Sequence, residues 1–194
     1  MIKFKVVVAG AKNVGKTSLL RRFATGKFEK STLSTIGVDF ETKKVVVDDT
    51  EILLNIWDFA GEKKFRLLFP SYISGASGAL MLYDITNKES LNDLLDWINV
   101  ISSVPNPPKT KILIEAKIDL KRKVQREDAQ KLFEKNKFKG EILSTSSKTG
   151  ENVEKAFEML GREILKTSLK KCPNCEKLYP LELKFCQYCG TKTS

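Results

Sequence analysis

Gly10 to Thr17 limits what this chain can fold into more sharply than any other stretch. The eight residues, Gly-Ala-Lys-Asn-Val-Gly-Lys-Thr, fit the pattern G-x-x-x-x-G-K-[ST], in which a Gly-rich turn between a strand and a helix cradles phosphate groups. The flanks supply both elements. Phe4 to Ala9, with three successive valines, predicts a short buried strand, and Ser18 to Phe23 carries apolar residues at helical spacing. A strand that turns tightly into a helix N-terminus aims backbone N–H groups and the positive end of the helix dipole at one point, which makes an anion site. Lys16 adds a point charge there and Thr17 a hydroxyl suited to Mg²⁺. Asn13, Val14, Gly15 and Ser18 complete the predicted phosphate-binding loop.

A length of 194 residues admits one well-packed domain and a small appendage. With 41% hydrophobic and 30% charged residues the composition is that of a soluble globule, and no apolar run approaches the ~20 residues that a bilayer crossing needs. Met1-Ile2-Lys3 runs straight into a strand, which argues against a signal peptide. Ile2 excludes N-myristoylation and Thr191-Lys192-Thr193-Ser194 has no cysteine to prenylate. The expectation is a cytoplasmic protein without an encoded lipid anchor. The 34 Lys and Arg outweigh 24 Asp and Glu, a balance that invites a nucleic-acid or acidic-membrane partner. From Lys171 onward there are only four lysines and two glutamates, so most of the excess lies upstream, densest around Lys121-Arg122-Lys123. A solvated loop and helix face is the favoured account, and an anionic partner surface is the alternative.

Further along, Gly37 to Asp48 and Glu51 to Asp58 predict two strands joined by a tight turn at Asp48-Asp49. Gly78 to Tyr83 predicts a buried strand, and Leu91 to Ser103 a helix with Leu91, Leu94, Leu95, Ile98 and Ile101 on one face. Pro105-Asn106-Pro107-Pro108 breaks the chain before a strand at Lys111 to Glu115. A helix at Asp128 to Asn136, a strand at Glu141 to Leu143 and an amphipathic helix at Asn152 to Lys166 follow. Strands alternating with helices predict an α/β fold, a mainly parallel sheet with helices on both faces and the ligand at the carboxyl ends of the strands. The boundary falls near Lys170, giving a domain at 1–169 and a cysteine-bearing module at 170–194.

Three more segments converge on that sheet edge. Trp57-Asp58-Phe59-Ala60-Gly61-Glu62 ends a predicted strand, where Asp58 can reach a metal-bound water and the Gly61 N–H a terminal phosphate. Lys117-Ile118-Asp119 follows another strand, and the Asp119 carboxylate offers two acceptors to the paired N–H donors of guanine, a pair that adenine lacks. Ser146-Ser147-Lys148, after the next strand, completes a base pocket with backbone N–H groups.

On these motifs the chain resembles the small Ras-like GTPases over roughly Ile2 to Leu169, most closely their Rab branch. The likeness extends to Ser34-Thr35-Ile36-Gly37-Val38-Asp39-Phe40, to Phe65-Arg66 and to Tyr72-Ile73-Ser74-Gly75-Ala76. It implies a phosphate-loop GTPase fold, GTP or GDP with Mg²⁺, and Thr35 as the switch I threonine that joins Thr17 around the metal. It further implies Phe28 beside the guanine and Phe40, Trp57 and Tyr72 as an apolar triad for effector proteins. An exchange factor and an activating protein are further implied partners, with nucleic acid a disfavoured one. Lys16, Thr35, Gly61 and Glu62 are the residues it places at the hydrolytic step. Three departures accompany it. Ala116 stands where the family's Asn-Lys-x-Asp has asparagine, and loss of one neutral hydrogen bond predicts roughly tenfold weaker nucleotide binding. Glu62 replaces a water-orienting glutamine, and Lys12 takes a position that is usually small. The expectation is a guanine-nucleotide switch with slow hydrolysis; a nucleotide-locked binding module and a nucleic-acid-associated GTPase are the alternatives.

Cys172-Pro-Asn-Cys175 and Cys186-Gln-Tyr-Cys189 form two C-x₂-C pairs ten residues apart. The spacing resembles a Cys₄ zinc ribbon, whose four thiolates close a tetrahedron and leave no open position. Disulfides are disfavoured in a reducing compartment, and a redox pair by the absence of a helix start. Zinc is the favoured occupant, with iron the alternative.

Overall fold

The computed structural model describes residues 2–29, 35–62, 68–135 and 140–192. Ser34, Phe65, Arg66 and Asn136, which figure in the sequence reading, lie outside them. Six strands form one sheet in the order β2-β3-β1-β4-β5-β6. They are β1 (Ile2–Gly10), β2 (Val38–Val47), β3 (Thr50–Phe59), β4 (Gly78–Asp84), β5 (Thr110–Ala116) and β6 (Glu141–Thr145). All neighbours run parallel except the hairpin β2–β3. Its turn is Asp48-Asp49, both at positive φ (45° and 62°), as a two-residue turn that matches strand twist requires.

The side-chain alternation of the strands sorts the core into two layers. Phe4, Val6 and Val8 of β1, with Leu80 and Leu82 of β4, pack on α1 (Lys16–Thr25) and α5 (Val153–Ser168). Val7, Ala9, Met81 and Tyr83 face the other way, toward α2 (Phe69–Ile73), α3 (Lys88–Ser102) and α4 (Arg126–Lys135). Helices therefore cover both faces, as alternating strands and helices predict. The short α2 has no long amphipathic pattern and starts with Pro70 in its first turn, where a missing N–H costs nothing.

Beyond α5 the chain continues directly into β7 (Leu169–Lys171), which pairs antiparallel with β8 (Leu178–Pro180). The division anticipated at 169/170 thus falls inside β7. Tyr179 is buried beside Cys172 and Cys186 in a small third cluster, under the Lys170 ammonium at 5.2 Å from its ring. Of the other apolar residues there, Leu181, Leu183 and Phe185 are exposed. Among the described residues no helix is long and apolar enough to cross a membrane.

Candidate functional site

β1, β3, β5 and β6 run the same way, so Gly10, Phe59, Ala116 and Thr145 finish at one edge and the loops after them meet there. They enclose a cavity of about 620 Å³, the size of a small-molecule cleft. Asn13, Val14, Gly15, Lys16, Thr17 and Ser18 line it from one side, with Thr35, Gly61 and Glu62 adjoining, and Phe28, Lys117, Asp119, Ser147 and Lys148 line the other.

At the phosphate end the loop is preformed. Gly10 adopts φ 148°, and a Cβ there would lie 2.4 Å from the Leu82 carbonyl oxygen. Only glycine lets β1 leave the sheet so close to β4. Lys16 is buried and its Nζ donates to the carbonyls of Gly10 at 2.9 Å and Ala11 at 2.8 Å. Thr17 Oγ1 donates to Asp58 Oδ2 at 2.5 Å and lies 2.9 Å from Thr35 Oγ1, which is 3.5 Å from the same carboxylate oxygen. Asp58 Oδ1 is buried without a hydrogen-bond partner among the described residues. Burial, above all, pushes the Asp58 carboxyl up to about 6, against hydrogen bonding from Thr17 and the charge of Lys16. Converging hydroxyls beside an unsatisfied buried carboxylate oxygen are what a hard divalent cation and its waters need. The donor set fits magnesium.

Lys12 and Glu62 meet over this end as an ion pair, Nζ to Oε1 2.9 Å, with the side chains 51% and 27% exposed. The two departures that the sequence presents separately form one unit.

The other end of the cavity is held from both sides. Lys117 takes positive φ (66°), and its Nζ contacts Asp84 Oδ2 at 2.6 Å and donates to the Asn13 carbonyl at 2.7 Å. The Gly-rich loop and the loop after β5 are thereby tied together. Asp119 Oδ1 accepts from Ser146 Oγ at 2.6 Å, and Lys148 Nζ lies 3.9 Å from Oδ2. Ser146 is itself fully buried and serves as a support for Asp119. Leu120 also lines the cavity; the sequence reading missed it because an exposed leucine in a loop carries no pattern.

Outside the cavity Phe40, Trp57 and Tyr72 lie in a row, Phe40 edge-to-face on Trp57 and Tyr72 tilted against it, with ring centroids 5.1 and 5.5 Å apart. Phe40 and Tyr72 are exposed at the surface.

In the C-terminal module the four cysteines are free thiols, and their sulfurs all lie within 4.8 Å of one another. Cys172 and Cys189 are 3.6 Å apart, as are Cys175 and Cys186. Zn–S bonds of ~2.3 Å give a tetrahedral edge of about 3.8 Å, so the cluster is compatible with a zinc site. The Thr191 hydroxyl, 3.2 Å from Cys189 Sγ, and the Thr191 backbone draw that thiol down to about 6, toward the thiolate that a metal requires.

A parallel sheet with a Gly-rich loop at its edge, a carboxylate-and-hydroxyl corner and an aspartate lining the same cavity is the architecture of nucleotide-binding switches. The sequence comparisons specify it. Residues 5–166 match the model of the Ras family. Rab-13 of Rattus norvegicus is 36% identical over 184 residues, 93% of this chain and 90% of the relative. Rab-1 of Theileria parva is 40% identical over 83% of this chain and 74% of its own length. Rab-8B of Homo sapiens is 38% identical over 84% and 78%. The chain belongs to the Ras family, near its Rab branch, and is a small GTPase that hydrolyses GTP to GDP and phosphate.

Proposed function

We propose that the chain is a guanine-selective switch with slow intrinsic hydrolysis, built from a GTPase domain and a zinc-held ribbon at its C-terminal end. The observation that carries this reading is the single cavity lined by the phosphate loop, by Thr17 and Thr35, which meet Asp58 behind them, and by Asp119. Asp119 accepts the paired N–H donors of guanine, while Ser146 holds the carboxylate in place. Thr17 and Thr35 would hold magnesium through their hydroxyls, with the Asp58 carboxylate beside them to anchor its water. When bound, magnesium neutralises charge on the phosphoryl oxygens. Lys16 supplies a cation from inside the loop. The Gly61 N–H, at the cavity wall against the phosphate loop, would contact a terminal phosphate and link it to the segment that includes Glu62.

Slow turnover follows from Glu62. An ionised carboxylate only accepts hydrogen bonds, so it orients water without donating to the charge that develops on the phosphoryl group. One of its oxygens is moreover occupied by Lys12. The same ion pair favours a nucleotide-locked module with negligible turnover, and magnitude decides between the two. A partly exposed pair is worth about 0.2–1 kcal/mol, so opening it slows hydrolysis by at most about fivefold. That is a slow enzyme and not a dead one. Glu62→Gln is expected to raise the single-turnover rate of GTP hydrolysis. A slower rate at unchanged GTP affinity would show that Glu62 is an effective water-positioning base and overturn this account.

The ribbon reading rests on the sulfur cluster, and the family match, which ends at residue 166, stops short of it. Effector proteins are assigned to the switch segments with Phe40, Trp57 and Tyr72, whose exposed rings suit contact anchors. An exchange factor and an activating protein complete the partners this reading requires, and the cytoplasm is the compartment it implies.

A further inference from the structure

Glu115 sits on β5, between β4 and β6, with no exposure to solvent. A lone carboxylate there carries a desolvation cost of several kcal/mol, so its partners reveal why it is kept. Oε1 accepts from Tyr83 Oη at 2.5 Å and Arg122 Nη1 at 2.9 Å. Oε2 accepts from Ser144 Oγ at 2.5 Å, Arg122 Nη2 at 3.3 Å and Arg126 Nη1 at 3.4 Å. Tyr83 belongs to β4 and Ser144 to β6, and both arginines belong to the segment that carries Asp119. Arg122 also donates to the Val124 carbonyl at 2.9 Å, and Arg126 to the Ile142 carbonyl at 2.6 Å.

The base loop thus leaves the sheet one residue after Glu115 and is fastened back to the same carboxylate at Arg122 and Arg126, with Asp119 in between. The opposite wall has the same anchor. Ser144 is bonded to Glu115, and two residues on, Ser146 holds Asp119. Ala116, at the head of the loop, has no polar side chain with which to brace it.

We propose that Glu115 is a positioning residue for guanine recognition: its buried carboxylate fixes both walls of the base pocket and so sets where Asp119 presents its acceptors. The inference rests on the assignment of Asp119 to the base. It predicts a loss of discrimination between nucleotides, over and above any loss of stability.

The test compares GDP with IDP, which lacks the exocyclic amine and therefore one of the two donors to Asp119. Dissociation constants for both are measured on the full chain with Glu115→Gln, Arg122→Gln and Asp119→Ala, alongside thermal unfolding. Arg122 is partly exposed, so its variant carries the test should Glu115→Gln not fold. Loosening the loop by one or two hydrogen bonds is expected to speed GDP release about tenfold and to move the IDP/GDP ratio toward one. The magnesium dependence of GDP release is expected to stay unchanged. A folded Arg122→Gln or Glu115→Gln protein that melts earlier but keeps the wild-type ratio overturns the proposal and leaves Glu115 a structural acid. If Asp119→Ala also keeps the wild-type ratio, the base assignment is wrong and the inference falls with it.

Discussion

Gly61 passes so close to the phosphate loop that a Cβ would lie 2.3 Å from the Lys12 nitrogen and 2.4 Å from the Ala11 carbonyl carbon. These are backbone atoms that no rotamer change can move. Gly61→Ala is expected to push the Glu62 segment off the loop at a cost of about 1–3 kcal/mol. It should abolish single-turnover hydrolysis while GDP still binds through the loop and Asp119. Hydrolysis at the wild-type rate in that variant would show that the contact is irrelevant to the reaction. At the other end, Asp119→Ala removes a charged acceptor and is expected to weaken GDP binding by about 1.5–3 kcal/mol. Displacement of labelled GDP checks both the affinity and the selectivity. If ATP competes with wild-type protein as well as GTP does, guanine recognition by Asp119 is excluded.

At the scale of elements, the strand ends deliver the ligands and the Glu115 network joins β4, β5, β6 and the start of α4. Burial alone raises a carboxyl's affinity for its proton, but here the hydrogen bonds from Arg122, Ser144 and Tyr83 outweigh it, and Glu115 is held below its ordinary range. A depressed folded-state value means that the unfolded chain binds the proton first on acidification. The contribution to stability is therefore complete above about pH 4.5, the ordinary value, and is lost as the pH falls through the lower value of the folded protein. Glu115→Ala is expected to cost about 3 kcal/mol at neutral pH, the lower end for breaking a buried pair because both arginines reach solvent. Denaturant titrations near pH 7 and pH 4 check this. The gap between wild type and variant should narrow at the acid end, and a gap that widens would contradict the assigned partners.

For the whole molecule, the C-terminal module is short of apolar core, with Tyr179 its one large buried side chain among the described residues. On the proposed zinc assignment, metal is expected to supply most of its order. Purified protein is expected to carry one zinc per chain. A chelator should expose residues beyond Lys171 to protease and leave GDP affinity unchanged, because every proposed nucleotide ligand lies upstream of α5. Cys172→Ser protein with full zinc content and unchanged protease resistance would dispose of the Cys₄ assignment. Saturating GDP should in turn raise the unfolding temperature of the GTPase part, by about 2.7 kcal/mol of stabilisation at a hundredfold excess over Kd.

The amino-acid sequence alone determined the features whose causes are local. The phosphate loop is legible because Gly10, Gly15, Lys16 and Thr17 act within one turn, and the hairpin turn because Asp48-Asp49 tolerates positive φ. The alternation of strand and helix then placed Asp58, Asp119 and the 146–148 loop at one sheet edge without any knowledge of packing. Tertiary structure decided what depends on register between distant segments. Lys12 meets Glu62 across fifty residues of sequence, Lys117 joins Asp84 to the phosphate loop, and Glu115 gathers donors from β4, β6, α4 and the loop before α4. A glutamate within an apolar run has no local signal of its partners. Strands β7 and β8, three residues each, are too short to show a period and form only where their ends are brought together.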